Sequence, residues 1–157
     1  MVYDSYHSPI GIIYVLMDEQ GIVRVALTEA QWQNCQEQYS DLQLDHVRCQ
    51  QAIAELADYF AGNRQSFSSP LSLTGTEFHH KVWNALLAIP FGETRTYSEI
   101  AMALGSPKAC RAVGQANRSN PLPLFIPCHR VIGKNGTMTG YMGDKVGLKE
   151  YLLRLEK

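Results

Sequence analysis

No apolar run in this chain is long enough to cross a bilayer: the strongest, Ile10 to Met17, falls well short of the ~20 residues a spanning helix needs. No basic stretch followed by an apolar core opens the chain either, so no secretion signal is expected and the protein is placed in the cytoplasm. Cysteine is scarce. Cys35, Cys49, Cys110 and Cys128 show neither a C-x-x-C spacing nor a paired His-x-x-x-His, which points away from a zinc site and from a disulfide framework, and toward reduced thiols. Internal repeats and low-complexity segments are missing too. What remains, 157 residues with 45% hydrophobic and 18% charged side chains, suits one domain or two small halves sharing a core.

The net charge of −1 hides an asymmetry. Residues 1–75 hold three basic side chains (Arg24, Arg48, Arg64) against nine acidic ones, net −6; residues 76–157 hold eleven against six, net +5. A basic half joined to an acidic one suggests a polyanionic partner for the second half alone. Solvated surface charge distributed by accident is the plainer alternative.

Local patterns divide the chain in the same place. Gly11 to Met17, the turn Asp18-Glu19-Gln20-Gly21 and Ile22 to Leu27 read as a β-hairpin. Thr28 to Ser40 carries Trp32, Cys35 and Tyr39 at helical spacing but is glutamine-rich, so a short helix and a structured loop are both open. Cys49 to Phe60 is a clearer helix, with Ala52, Leu56, Tyr59 and Phe60 on one face and Gly62 as its stop. Pro70 to Gly75 is a connector, giving an N-terminal α/β domain at 1–74 and a second domain at 75–157.

That second domain is punctuated as a helical module. Thr76 can cap a helix whose face is Phe78, Val82, Leu86 and Ile89, ended by Pro90. Thr96-Tyr97-Ser98-Glu99 has the form of a capping box, in which hydroxyl and carboxylate each satisfy a free backbone N–H, and its helix runs to Leu104. Gly105 supplies a left-handed C-terminal residue; Ser106 caps the next helix, with Pro107 at its first position, out to about Arg118. Helix, glycine turn, helix is the helix-turn-helix pattern, and the fold class is α+β. Ala109, Ala112, Gly114 and Ala116 leave the second helix little bulk while Lys108, Arg111 and Arg118 project charge. A small-residue face packed on a neighbouring helix would explain the first feature; a helix that approaches nucleic acid closely explains both.

Pro127-Cys128-His129-Arg130-Val131 is where chemistry concentrates. Free cysteine is often buried and inert, so the dipeptide alone proves little. Asn120-Pro121-Leu122-Pro123 makes a stiff hinge, and the apolar run to Ile126 is strand-like, which would set Cys128 on a rigid segment. A thiol of ordinary pKa is only about 3% thiolate at pH 7, and a nearby histidine can raise that. Neighbours on an extended chain point to opposite faces, so a bridging water between Cys128 and His129 is the simpler geometry unless the chain turns there. The histidine needs an orienting acid. Glu156, at the end of the helix Val146 to Leu155, qualifies only if that helix folds back.

Pro127-Cys128-His129-Arg130-Val131, Arg111-Ala112-Val113-Gly114, Asn120-Pro121, Thr96 to Ala101, Gly75 to Phe78 with Val82-Trp83, and Lys149-Glu150-Tyr151-Leu152-Leu153 together resemble the 6-O-alkylguanine-DNA alkyltransferases, also called methylated-DNA–protein-cysteine methyltransferases. The likeness is specific over 75–157; over 1–74, Ser8-Pro9-Ile10-Gly11 and the hairpin fit the family's small N-terminal α/β domain. It implies direct DNA repair by an alkyl acceptor, with Cys128 attacking the alkyl carbon on the 6-oxygen of a flipped-out guanine. His129 would draw the thiol proton through a water, Glu156 would orient His129, and Tyr97 would protonate the leaving guanine. Arg111 would fill the vacated base stack, with Lys108, Ala112 and Arg118 on the same DNA-binding helix in the minor groove, largely indifferent to sequence. Asn120 would brace the link to the active-site strand; Val131 and the loop Tyr141-Met142-Gly143 would line the base pocket. The product, a thioether, is not cleaved by water, so the protein is expected to act once, as a monomer, without a cofactor.

Two features depart from the family. Gly143 is followed by Asp144-Lys145, and the interval from Tyr141 to Lys149 is eight residues rather than seven. Cys35, Cys49 and His7 do not reproduce the zinc set of some members, so no metal is expected; His79 and His80, early in a helix, are read as solvated or capping. Three other classes stand against the alkyltransferase reading: a cysteine hydrolase, a lesion-recognition protein without transfer, and a helix-turn-helix regulator. A hydrolase would regenerate its thiol, and the latter two would not need Cys128.

Overall fold

The structure, a computed structural model, describes residues 1–136 and 146–157. It divides into two compact units, Met1–Thr74 and Gly75–Lys157.

The first unit is a four-stranded sheet with a helix on each face. Strands β1 (Val2–Ser8), β2 (Gly11–Met17), β3 (Ile22–Ala26) and β4 (Gln43–Leu44) lie in the order β3-β2-β1-β4. The hairpin expected over 11–27 is β2 paired antiparallel with β3, and β1 joins the other edge of β2 through the turn at Ser8 to Gly11. Helix α1 (Glu29–Gln38) is capped by the Thr28 hydroxyl, which settles the choice between helix and loop. Its Trp32 stacks on Tyr14 at 4.0 Å and meets Tyr3 at 4.9 Å, covering one face of the sheet. Helix α2 (Gln50–Phe60) serves the other, where Phe60 meets Tyr6. With both faces covered, Ile13, Val15 and Leu16 are all fully buried, and β2 reads as a continuous apolar run instead of an alternating one.

A buried carboxylate fastens the end of this unit. Glu55 of α2 accepts from the backbone N–H and hydroxyl of Ser68, from the same two groups of Ser69, and from Arg64. Burial alone would raise its pKa, but the hydrogen bonds from Ser69 and Ser68 outweigh that and hold it below the usual carboxylate range.

The second unit is mostly helical: α3 (Glu77–Leu87), α4 (Tyr97–Ala103), α5 (Cys110–Arg118) and α6 (Val146–Leu155), with β5 (Arg95–Thr96) and β6 (Val131–Ile132) paired in parallel. Thr76 caps α3, and His79 returns the favour by accepting from the Thr76 N–H, so this histidine is a cap. Thr96 and Glu99 form the expected capping box on α4. Trp83 of α3 donates its indole N–H to the Ala116 carbonyl at 3.1 Å, pinning α5 to α3.

Two local expectations are corrected. The helix read from Ser106 begins only at Cys110, with no side-chain cap. After α4, Gly105 (φ 72°) and Ser106 send their N–H groups back to Met102 and Ala101, closing a Schellman motif. The Ser106 carbonyl then accepts from Ala109 in a tight turn. Ser106 therefore finishes one helix, leaving Lys108 in the turn before the next. The apolar run after Pro123 to Ile126, read as strand-like, belongs to a buried irregular turn: Ile126 N–H donates to the Leu122 carbonyl, and Leu124 sits at φ 77°. A leucine in that region costs about 1–2 kcal/mol, which its burial offsets.

Candidate active site

Cys128 lies at the start of a single 3-10 turn, Cys128–Arg130, and is 3% exposed. The extended geometry expected there is replaced by a turn, because Arg130 N–H reaches the Pro127 carbonyl and Val131 N–H reaches that of Cys128. On the other side, Cys128 N–H donates to Ile126 at 2.7 Å. The backbone around Cys128 is thus tied on both flanks.

Helix α6 does fold back. Glu156, one residue past its end and 3% exposed, takes His129 Nε2–H at 2.7 Å, Arg130 Nε–H at 2.8 Å and Arg130 Nη2–H at 3.0 Å. The remaining Arg130 Nη1 donates to the Ile89 carbonyl at 2.8 Å. A two-pronged arginine holds the carboxylate, and the carboxylate holds the imidazole. Burial pushes the His129 pKa below its ordinary value, opposed by Glu156 and reinforced by the cations of Arg130 and Lys149. The imidazole is neutral at pH 7. Since a carboxylate can only accept, Nε2 carries the proton and Nδ1 presents a lone pair. Among the described residues nothing hydrogen-bonds that Nδ1.

A cation completes the site. Lys149 of α6 is fully buried, donates to the Val131 carbonyl, and stands 5.9 Å from the centre of the Tyr97 ring. Burial lowers its pKa to about 8, while the electrostatic influence of Cys128 acts to raise it. Interaction between two charges is mutual, so a protonated Lys149 favours the Cys128 thiolate.

Sequence reasoning missed the parts played by Lys149 and Arg130. The signal was present: Lys149, Leu152 and Glu156 fall on one helical face, and all three are buried. Two charged side chains on the inward face of a helix are rarely without a partner. Asn117 was missed as well. It is 1% exposed and donates to the Cys128 carbonyl at 3.3 Å. Three residues on, Asn120 donates to the Ile126 carbonyl at 2.9 Å and accepts from Leu122 N–H.

The surface arm of the site is α5. Val113, Ala116 and Asn117 face inward, while Arg111, Ala112 and Arg118 are exposed. Ala116 sits on the face that Trp83 of α3 holds through its carbonyl, while Ala112 lies on the exposed face next to Arg111. Tyr97 is half-buried at the first position of α4, and Val131 is buried. Tyr141, Met142, Gly143 and Asp144 lie outside the described residues. Cys35 and Cys49 are buried in the first unit; burial, with Asp4 and Asp45 nearby, pushes the Cys49 thiol up to about 11. Among the described residues no cluster of histidine, cysteine and carboxylate could hold a metal ion, and no helix there is long and apolar enough to cross a membrane.

A buried cysteine, a histidine held by a buried carboxylate, a buried lysine and an exposed arginine-bearing helix thus share the second unit. The two units match two family models: residues 1–73 the ribonuclease-like domain and residues 77–157 the DNA-binding domain of 6-O-methylguanine DNA methyltransferase. The chain belongs to that family. It is 46% identical over 156 residues to the constitutive methylated-DNA–protein-cysteine methyltransferase of Bacillus subtilis strain 168, covering 99% of this chain and 94% of that one. A Methanosarcina acetivorans relative of the same name is 44% identical over 164 residues, covering 99% and 98%. The crystal structure of Mycobacterium tuberculosis OGT in complex with DNA matches with a TM-score of 0.89 at 41% identity, covering 100% and 93%.

Proposed function

We propose that this protein repairs DNA directly, by moving the alkyl group of 6-O-alkylguanine onto Cys128 in a single, irreversible turnover. The observation that carries the reading is the neutral His129, fixed by Glu156 with its Nδ1 lone pair unpaired among the described residues, one residue from a cysteine favoured as thiolate by Lys149.

The chemistry follows from those atoms. The Cys128 thiol gives its proton through a water to His129 Nδ1, and the resulting imidazolium is stabilised by Glu156. The thiolate attacks the alkyl carbon; the S–C bond forms as the C–O bond breaks, and the electron pair leaves on the guanine oxygen. Tyr97 supplies the proton that makes the departing base neutral guanine, and the Lys149 cation beside its ring stabilises the phenolate that results. The thioether product is stable in water, so each molecule works once.

Delivery of the lesion belongs to the second unit, a DNA-binding and alkyl-acceptor domain in which α4, the turn and α5 act as a helix-turn-helix. A guanine inside a duplex hides its 6-oxygen, so the nucleotide is flipped out, at a cost of a few kcal/mol. Arg111 offsets part of that cost by stacking in the gap, with Lys108 and Arg118 on phosphates and the low Ala112 surface suiting a minor groove. Asn120 braces the connection, Val131 and the 141–143 loop bound the base pocket, and the first unit serves as the N-terminal α/β domain. The protein acts as a cytoplasmic monomer on double-stranded DNA of any sequence. The test pairs two readouts: Cys128→Ala should abolish removal of methyl from a 6-O-methylguanine duplex while retaining affinity for it. Demethylation by that variant would overturn the assignment.

A further inference from the structure

The side chain of Asn117 is more costly than its position requires. It lies on the inward face of α5 with Val113 and Ala116, and its Oδ1 is buried with no donor among the described residues. A buried, unsatisfied carbonyl is unfavourable, so the group is retained against a cost. Its other end does something specific. Asn117 Nδ2 donates to the carbonyl of Cys128, eleven residues away, and shares that acceptor with Val131 N–H. The carbonyl of Ile126, which takes Cys128 N–H, is itself held by Asn120 Nδ2. Two asparagines three residues apart, one still on α5 and one just beyond it, therefore hold the cysteine's backbone: Asn117 grips its carbonyl directly, and Asn120 holds the Ile126 carbonyl that takes its N–H.

We infer that Asn117 is a positioning residue which, resting on the reading of Cys128 as the alkyl acceptor, fixes the direction of its sulfur relative to the base and the cation and ties it to the helix that carries Arg111. Fixing the Cys128 carbonyl restrains the backbone torsions of that residue, and with them where the sulfur points. The charged and titratable groups around the sulfur's setting are Lys149 from α6, His129 in the same turn, Tyr97 from α4, and the Arg130–Glu156 pair behind the histidine. A sulfur turned away from Lys149 and His129 loses both the counter-charge and the route for its proton.

Two variants separate positioning from folding: Asn117→Asp keeps the shape and removes the donor, and Asn117→Ala removes both. Each would be compared with the unaltered protein for duplex affinity, for single-turnover methyl transfer at saturating 6-O-methylguanine duplex, and for the pH dependence of Cys128 alkylation by iodoacetamide, followed by peptide mass spectrometry. Expected are affinities within about two-fold, since phosphate contacts dominate binding, and transfer slowed by about ten-fold or more. The iodoacetamide midpoint should move up by about half a pH unit. Folded variants with unchanged transfer and an unchanged midpoint would overturn the inference. So would loss of affinity and rate together, or failure of both variants to fold, either of which assigns Asn117 to the fold alone. If the unaltered protein reacts with iodoacetamide but accepts no methyl, the proposed function fails, and the iodoacetamide midpoints still decide the role of Asn117.

Discussion

Replacing Lys149 by methionine should make the protein more stable and less reactive at once. Holding this amine inside the second unit brings its pKa to about 8 from an ordinary 10.5. A gap of that size corresponds to about 3 kcal/mol, borne by the folded state wherever the lysine stays charged. Methionine has a similar length and no charge, so it removes the cost and forfeits the hydrogen bond to the Val131 carbonyl, worth about 1–2 kcal/mol. The net is a gain of about 1–2 kcal/mol and a melting temperature higher by several degrees. Reactivity moves the other way: Lys149 and Cys128 interact electrostatically, and a close charge pair at an effective dielectric of about 20 is worth about 3 kcal/mol, so loss of the cation should slow transfer by about 100-fold at pH 7. The pH dependence has a definite sign. Lys149 is charged below about 8, so the rate advantage over the methionine variant should shrink as pH rises through that value. Between about 8 and 10.5 the unfolded lysine still holds a proton that the folded one has lost, so the stability of the unaltered protein should rise with pH there and that of the variant should not. Single-turnover transfer and thermal unfolding measured across pH 6.5 to 10 would check both. A variant that melts lower and transfers at an undiminished rate would refute the reasoning.

Glu156→Gln should leave Arg130 buried without its counter-charge and His129 without its anchor; a loss of about 3–5 kcal/mol in denaturant unfolding and at least about 100-fold in transfer rate is expected. Glu55→Ala should destabilise the first unit by about 3 kcal/mol by orphaning the Ser68 and Ser69 donors. Because the folded Glu55 pKa is depressed, its contribution is present above the ordinary carboxylate pKa and is lost as pH falls through the folded value, which acid titration of the unaltered protein and the variant would expose. Arg111→Ala should slow transfer from duplex DNA by about ten-fold, through loss of the stacking plug, while leaving reaction with free 6-O-methylguanine base unchanged.

Where the sequence was legible, local chemistry and tertiary context agreed. The β2–β3 hairpin, α2 with its Gly62 stop, and the Thr96–Glu99 capping box rest on short-range rules that packing does not overturn. It was misleading where one residue could serve two neighbours. Ser106 looks like an N-cap, but its N–H is consumed by the preceding helix. Strand β1, Val-Tyr-Asp-Ser-Tyr-His-Ser, carries too many polar side chains to announce itself, and Asp4 is tolerated there because His46 and the Ser5 N–H satisfy it. Cys128 and His129 stood out in the sequence, yet the turn they occupy is hydrogen-bonded by Asn117 and Asn120, and His129 by a glutamate 27 residues on. Contacts of that separation leave no local trace; only two charges on the buried face of α6 hinted at them.

The central claim is that Cys128 is an alkyl acceptor used once. Incubating the protein with excess 6-O-methylguanine duplex, and following both the methyl lost from DNA and the mass of the Cys128 peptide, tests it directly. The account predicts that transfer stops at one methyl per protein, all of it on Cys128. Continued turnover, or a Cys128 peptide unchanged while the lesion disappears, would contradict it.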